Sequence, residues 1–126
     1  MIPKIIHYAW FGSSLPDGIA ARVEKWQQIL PDWEFKFWNE DNYDLSSFKF
    51  STKMYQDGKL GYVTDELRYD VLYRYGGFYL DTDMVIEKTL NDFLDKKMVW
   101  GFLYDNSLAT GIIGAEPGQE LFKKIL

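Results

Sequence analysis

The sequence predicts an α/β domain built on a mostly parallel sheet flanked by helices. Three observations lead there. The chain opens on a nearly continuous apolar run, the signature of a strand buried on both faces. Runs of that kind then alternate with segments of helical periodicity, as in βαβ units. In the stretch 64–83, a helix, a glycine stop and a short strand follow one another directly.

Taken in order, Lys4 to Phe11 reads as the first strand, and Gly12 to Asp17 as a turn in which Ser14 or Asp17 caps the helix that follows. Ile19, Val23, Trp26, Ile29 and Leu30 recur at helical spacing until Pro31 stops the helix. Trp33 to Trp38 alternates, with Trp33, Phe35 and Phe37 on one face, and reads as a second strand. Asn39 to Asp44 is polar loop, and Tyr43 to Tyr55 holds a short helix and turn.

Leu60, Val63, Leu67 and Val71 form one apolar helical stripe. At about 100° per residue, Asp65, Arg68 and Leu72 then fall on the opposite side, so the acid and the base are expected to point together away from the core. Gly76-Gly77 ends the helix. In the strand Phe78-Tyr79-Leu80, Phe78 and Leu80 share one face, whereas Tyr79, Asp81 and Asp83 share the other. The two carboxylates are therefore expected side by side, between that strand and a second apolar run, Met84-Val85-Ile86. Beyond them, Leu90 to Leu94 reads as a helical turn, Val99 to Tyr104 as a strand, Asp105-Asn106 as a turn, Gly111 to Ala115 as a short strand, and Pro117 onward as a final helix.

Two adjacent carboxylates repel one another, and a bound divalent cation offsets that repulsion. Oxygen-only ligands favour Mg²⁺ or Mn²⁺, which keep positions open for phosphate oxygens. An Asp-x-Asp pair by itself describes a solvated turn equally well, and an Asp65/Arg68 pair describes a surface ion pair of little worth. Placement at the end of an apolar strand favours the metal, because open α/β sheets bind ligands at the carboxyl ends of their strands.

With 126 residues, 47% hydrophobic and 18% aromatic, the chain supports one core and a single domain over residues 1–126. A net charge of −5, with no basic run, argues against nucleic-acid binding. The absence of cysteine removes disulfides and thiolate metal sites. No segment approaches the ~18 apolar residues of a membrane span, and the start lacks a signal-peptide apolar region, so a cytoplasmic location is expected, with any membrane association supplied from elsewhere.

Asp65-x-x-Arg68 followed by Gly76-Gly77-Phe78-Tyr79-Leu80-Asp81-Thr82-Asp83 resembles the signature of the nucleotide-sugar glycosyltransferases whose sugar-binding region contains the Asp-x-Asp motif, family 32. That group includes capsular polysaccharide and mannosyl transferases and is distantly similar to the glucosylating bacterial toxins. The resemblance implies a GT-A-like fold, longer than this chain, so that residues 1–126 are expected to be the N-terminal, nucleotide-sugar half of a catalytic domain. It implies a nucleotide-diphosphate sugar donor, a saccharide acceptor in surface or capsular polysaccharide synthesis, and retention of anomeric configuration.

By position, the resemblance nominates Asp81 and Asp83 as the metal-binding and catalytic pair for Mn²⁺ or Mg²⁺, and Asp65, Arg68, Gly77 and Tyr79 as donor-binding residues. Trp10, at a strand end, corresponds to the aromatic that stacks on the nucleobase; a core position is the alternative. His7, in mid-strand, reads as a hydrogen-bonded structural residue. In the segment Leu108 to Ala115, where many relatives carry an Asn, this chain has Thr110 beside Gly111. Two other functions fit parts of the pattern. Asp81-Thr82-Asp83 after a strand also resembles the haloacid-dehalogenase-type phosphatase motif, and the apolar final helix suits a non-catalytic module that self-associates through exposed apolar surface.

Overall fold

In the computed structural model the backbone is described for residues 1–104 and 107–126, and the side chains of Ser47, Gly61 and residues 102–110 are outside the description. The turn expected at Asp105-Asn106 and the side chain of Thr110 therefore lie outside the described residues. Strands β1 (Ile5–Ala9), β2 (Glu34–Trp38), β3 (Gly77–Leu80), β4 (Met98–Tyr104) and β5 (Ser107–Ala115) form one sheet in the order β2-β1-β3-β5-β4. Helices α1 (Asp17–Ile29), α2 (Lys49–Gln56), α3 (Thr64–Tyr75) and α4 (Glu120–Ile125) complete the fold, with single 3₁₀ turns at Leu45–Ser47, Leu60–Tyr62 and Asn91–Phe93.

The α/β class is as expected, and the sheet is mixed in detail. β1 runs parallel to both β2 and β3, and the connections between these three strands contain helices, which is what parallel pairing requires. β5 runs antiparallel to β3 and to β4. Only two residues separate β4 from β5 in sequence, too few for a crossover.

Helices cover both faces, so every residue of β3 is buried. Phe78 and Leu80 join Ile6 and Tyr8 of β1 in a cluster with Val23 and Trp26 of α1 and with Leu30 just after it. Tyr79, Ala9, Ile113 and Ala115 face the other way, against Leu67, Val71 and Leu72 of α3 and Phe122 of α4. At about 2 kcal/mol per fully buried large apolar side chain, these two layers supply most of what holds the strands in place.

Gly76 and Gly77 make the junction between α3 and β3. Both have positive φ, 70° and 103°, a region that side chains with a Cβ rarely enter. A Cβ on Gly77 would stand 2.6 Å from the Ile5 carbonyl oxygen, so β3 can pair closely with β1 only because that atom is missing. His7 stitches the same region. Its Nε2 lies 2.8 Å from the Gly76 carbonyl, and its Nδ1 lies 3.1 Å from Trp38 Nε1. Indole is a donor only, so Nδ1 accepts and Nε2–H donates, which makes the ring neutral. Burial lowers the His7 pKa from 6.5 to about 4, the hydrogen bond to Gly76 opposing it and the charges of Lys36 and Arg74 adding to it. His7 is thus the hydrogen-bonded structural residue its mid-strand position suggests.

Three local expectations change. The N-cap of α1 is Pro16 with no side-chain cap bond, and Asp17 lies in the first turn instead, where a negative charge still suits the helix dipole. The final helix begins at Glu120, and Pro117 belongs to the preceding turn. β5 begins at Ser107, earlier than the small-residue pattern of Gly111 to Ala115 indicates.

Candidate functional site

The chain leaves β1 to build β2 on one side, then returns to place β3 on the other side of β1. The carboxyl ends of β1 and β3 therefore diverge at a topological switch point, where open α/β sheets bind their ligands. A cleft of about 540 Å³ opens there. Ala9 to Ser13, leaving β1, form one wall; Tyr79 and the segment Asp81 to Asp83, leaving β3, form another; Leu60, Thr64 and Arg68 close it from the side of α3.

Arg68 is the organising charge. Its side chain is only 5% exposed. Nε donates to the Thr64 carbonyl at 3.1 Å, and one terminal nitrogen reaches the Thr64 hydroxyl at 3.2 Å and Asp81 Oδ1 at 3.2 Å, with Asp65 Oδ1 at 3.7 Å. The guanidinium also lies over the Tyr79 ring, 4.9 Å from its centroid, a cation–π contact that a desolvated site strengthens. The expectation that Asp65 and Arg68 point together away from the core is corrected here. Leu72 is fully buried and Arg68 nearly so, because α3 is covered on more than one side and the long arginine folds back along its own helix to the end of β3. Asp65 alone remains substantially exposed, at 49% of its side chain.

The two acids of the motif differ in setting. β3 ends at Leu80, and Met84 N–H donates to the Asp81 carbonyl at 3.0 Å, so Asp81 to Met84 is a turn and not a continuing strand. The expected apolar flank is likewise interrupted: Val85 is 69% exposed, while Ile86 returns to the core. Burial raises the pKa of the Asp81 carboxyl; Arg68 opposes this, the charge of Asp83 raises it further, and Tyr79 lowers it by hydrogen bonding. Tyr79, completely enclosed, has its phenol pushed up chiefly by burial, and so acts as a neutral hydroxyl.

A divalent cation suits this donor set. Asp81 and Asp83 offer hard carboxylate oxygens, their mutual repulsion is what a cation relieves, and a diphosphate brought beside them would otherwise meet like charge. No group of three or more potential ligand side chains occurs among the described residues. The remaining positions around such an ion thus fall to substrate and water oxygens, a habit of Mg²⁺ and Mn²⁺.

Trp10 lies in the cleft wall and is partly exposed, so the core alternative for it is set aside. Its indole N–H donates to Ser13 Oγ at 3.1 Å, which orients the ring beside the opening. Of the residues singled out from sequence, the structure brings together Trp10, Arg68, Tyr79, Asp81 and Asp83, with Asp65 joined to them through Arg68. It does not bring Gly77. That residue starts β3, whose other end feeds the cleft, and its role is to let β3 approach Ile5.

Sequence reasoning passed over Thr64, which holds Arg68 through both its carbonyl and its hydroxyl; its position one turn before Arg68 is the signal that points to it. It also passed over two residues of α1. Arg22 donates to the Thr82 carbonyl at 2.6 Å and Trp26 to the Met84 carbonyl at 3.0 Å, across some sixty positions of sequence with no local pattern.

Residues 16–100 match the family described as glycosyltransferase sugar-binding region containing DXD motif. The chain is 31% identical over 140 residues to an uncharacterized glycosyltransferase of Acanthamoeba polyphaga mimivirus, spanning 99% of this chain and 54% of that protein. It is 28% identical over 135 residues to inositol phosphoceramide mannosyltransferase 2 of Schizosaccharomyces pombe, covering 100% of this chain and 38% of the other. Among solved structures, PaToxG Glycosyltransferase superposes with a TM-score of 0.69 at 15% identity, over 98% of this chain and 57% of that one, which supports the GT-A-like fold. The chain thus spans about half the length of the viral relative and less of the yeast one. It belongs to the family of glycosyltransferase sugar-binding regions that contain the DXD motif.

Proposed function

We propose that this chain binds a nucleotide-diphosphate sugar in the cleft at the end of β1 and β3, and that it is the donor half of a metal-dependent glycosyltransferase. The observation that carries this reading is that Trp10, Arg68 and the pair Asp81/Asp83 converge on one cleft, an aromatic face, a cation and two acids being what a nucleobase, a sugar diphosphate and its metal ask for.

In this reading the base stacks on Trp10, and stacking of that kind is worth ~1–3 kcal/mol with little dependence on the base. Asp83, with Asp81 directly or through water, would hold Mn²⁺ or Mg²⁺. When bound, the ion supplies Lewis acidity that stabilises the leaving phosphate. Arg68, planar, permanently charged and already anchored to Thr64, keeps a cation at the phosphate end of the cleft without needing to be ordered by the ligand. Asp65, exposed beside it, accepts hydrogen bonds from sugar hydroxyls. Tyr79 supports Arg68 from beneath through its ring.

The acceptor is a hydroxyl of a saccharide or of a related polyol. Capsular acceptors suit the resemblance in the sequence, whereas the yeast relative is named for mannosyl transfer to inositol phosphoceramide. Transfer is proposed to retain anomeric configuration. A cytoplasmic protein that meets a membrane-borne acceptor is consistent with both kinds of acceptor; no helix among the described residues is long and apolar enough to cross a membrane. Leu121, Ile125 and Leu126 are exposed on or just after α4, and self-association is proposed to use them.

The test is incubation with radiolabelled UDP-glucose, UDP-galactose and GDP-mannose, each with Mn²⁺, and with oligosaccharide or inositol-phosphate acceptors. Transfer abolished by Asp81→Asn and Asp65→Ala, with the anomer of the product read by NMR, supports the enzyme. Donor binding with no transfer to any acceptor supports the non-catalytic module. The phosphatase alternative loses its ground with the family membership, and Asp81 ion-paired to Arg68 is poorly placed to act as a free nucleophile.

A further inference from the structure

We infer that Arg22 and Trp26 of α1 are positioning residues for the acidic turn, and that they set its affinity for a divalent cation without touching the ion or the donor. This rests on the proposed metal-dependent donor site.

Asp81 to Met84 is a short turn carrying two carboxylates, closed on itself by one backbone hydrogen bond, from Met84 N–H to the Asp81 carbonyl. The fold holds it from outside. From the β5 side, the Gly111 carbonyl accepts from Asp81 N–H at 2.8 Å. That strand comes in close: a Cβ on Gly111 would lie 3.1 Å from Met84 Sδ and 3.3 Å from Asp81 Oδ2. From the α1 side, two side-chain donors one helical turn apart reach two carbonyls of the turn, Arg22 to Thr82 and Trp26 to Met84, at 2.6 and 3.0 Å. The carbonyl between the two acids is therefore bound by a charged donor, the stronger class of hydrogen bond.

This arrangement serves the acids in two ways. Carbonyls that are occupied by donors cannot rotate toward the carboxylates or the ion, so the backbone on either side of Asp83 is fixed. The donors also come from the face of the sheet opposite Arg68, which leaves the cleft side of the turn open. Residues that hold a metal-ligating segment from behind commonly set metal affinity by 10–100-fold. Trp26 is 1% exposed and packed edge-on against Tyr8 at 5.9 Å, so its N–H is delivered by a rigid ring, whereas Arg22 is only half-buried.

The experiment uses the chain with Arg22→Met, Arg22→Lys and Trp26→Phe. Mn²⁺ binding in the presence of UDP is followed by electron paramagnetic resonance, UDP binding without metal by calorimetry, and exchange of the Met84 amide by NMR. The expected result for Arg22→Met is a folded chain whose melting temperature falls by roughly 3–10 °C, Mn²⁺ affinity about tenfold lower or more, metal-free UDP affinity within twofold, and faster Met84 exchange. Arg22→Lys, which can still donate to the Thr82 carbonyl, should recover most of the loss. Trp26→Phe keeps the ring in place and should weaken Mn²⁺ binding in the same selective way. Parent-like Mn²⁺ affinity in Arg22→Met and Trp26→Phe overturns the inference while the metal site stands. A parent chain that binds no Mn²⁺ with UDP overturns the site itself and the inference with it.

Discussion

Replacing Gly77 by Ala should damage the fold and spare the chemistry, because the glycine serves the sheet. The added Cβ would stand 2.6 Å from the Ile5 carbonyl oxygen and 2.8 Å from Ile5 Cβ, and the backbone there has φ of 103°. Holding a residue with a Cβ at positive φ costs about 1–2 kcal/mol, and overpacking a close contact costs about 1–3. Neither neighbour is the flexible end of a side chain, so relief requires β1 and β3 to separate. The sum, about 2–5 kcal/mol, is a large share of the 5–15 kcal/mol typical of a domain. At roughly 3–4 °C per kcal/mol for a chain of this size, the melting temperature should fall by roughly 6–20 °C. Thermal and urea unfolding followed by circular dichroism measure it, the urea slope staying constant if only stability changes. Gly18→Ala is the control: that residue lies in the first turn of α1 with no atom near the added Cβ, so the variant should match the parent or gain up to about 0.5 kcal/mol. A Gly77→Ala protein that melts with the parent and instead loses nucleotide affinity would refute the reasoning and return Gly77 to the donor site.

The remaining predictions concern pH and the cleft walls. His7 has its pKa lowered from 6.5 to about 4 in the fold, so between those values the unfolded chain binds a proton that the folded chain does not. Its contribution to stability is constant above pH 6.5 and lost as the pH falls to about 4, up to on the order of 3 kcal/mol; His7→Gln should flatten that part of a stability profile measured by urea titration. Trp10→Ala should weaken nucleotide binding roughly 5- to 150-fold at unchanged melting temperature, as calorimetry reads it. Arg68→Met leaves Asp81 without its cation. Because Asp81 keeps a third of its side chain in water, the expected loss of stability is modest, about 1–2 kcal/mol by thermal unfolding, with a larger loss of diphosphate affinity.

How much of this was legible in the sequence follows from the range of each interaction. The α/β class, the helix stop at Gly76-Gly77 and the alternation of Phe78 and Tyr79 are local periodicities, and they appear in the fold as the residues suggest. The mixed sheet is less legible, because strand direction depends on connection length and β5 begins well before its small-residue pattern. Helical geometry places Asp65 and Arg68 on one face correctly, yet whether that face meets water is decided by what packs on α3. The long side chain of Arg68 reaches back to Thr64 and across to Asp81, a contact thirteen positions away that no spacing rule contains. Asp81 and Asp83 were legible as a pair because their types are rare beside a buried strand. That they sit on a turn gripped by Arg22 and Trp26 was not, since those hydrogen bonds join residues sixty and fifty-eight positions apart.

The most direct test of the donor site is calorimetric titration of UDP, UDP-glucose and GDP-mannose into the parent chain and into Asp83→Ala, each with and without Mn²⁺. The account predicts binding that strengthens with Mn²⁺ in the parent and loses that metal dependence in the variant, at equal melting temperature. Binding of equal strength with and without the ion in both proteins, or no binding of any nucleotide, would contradict it.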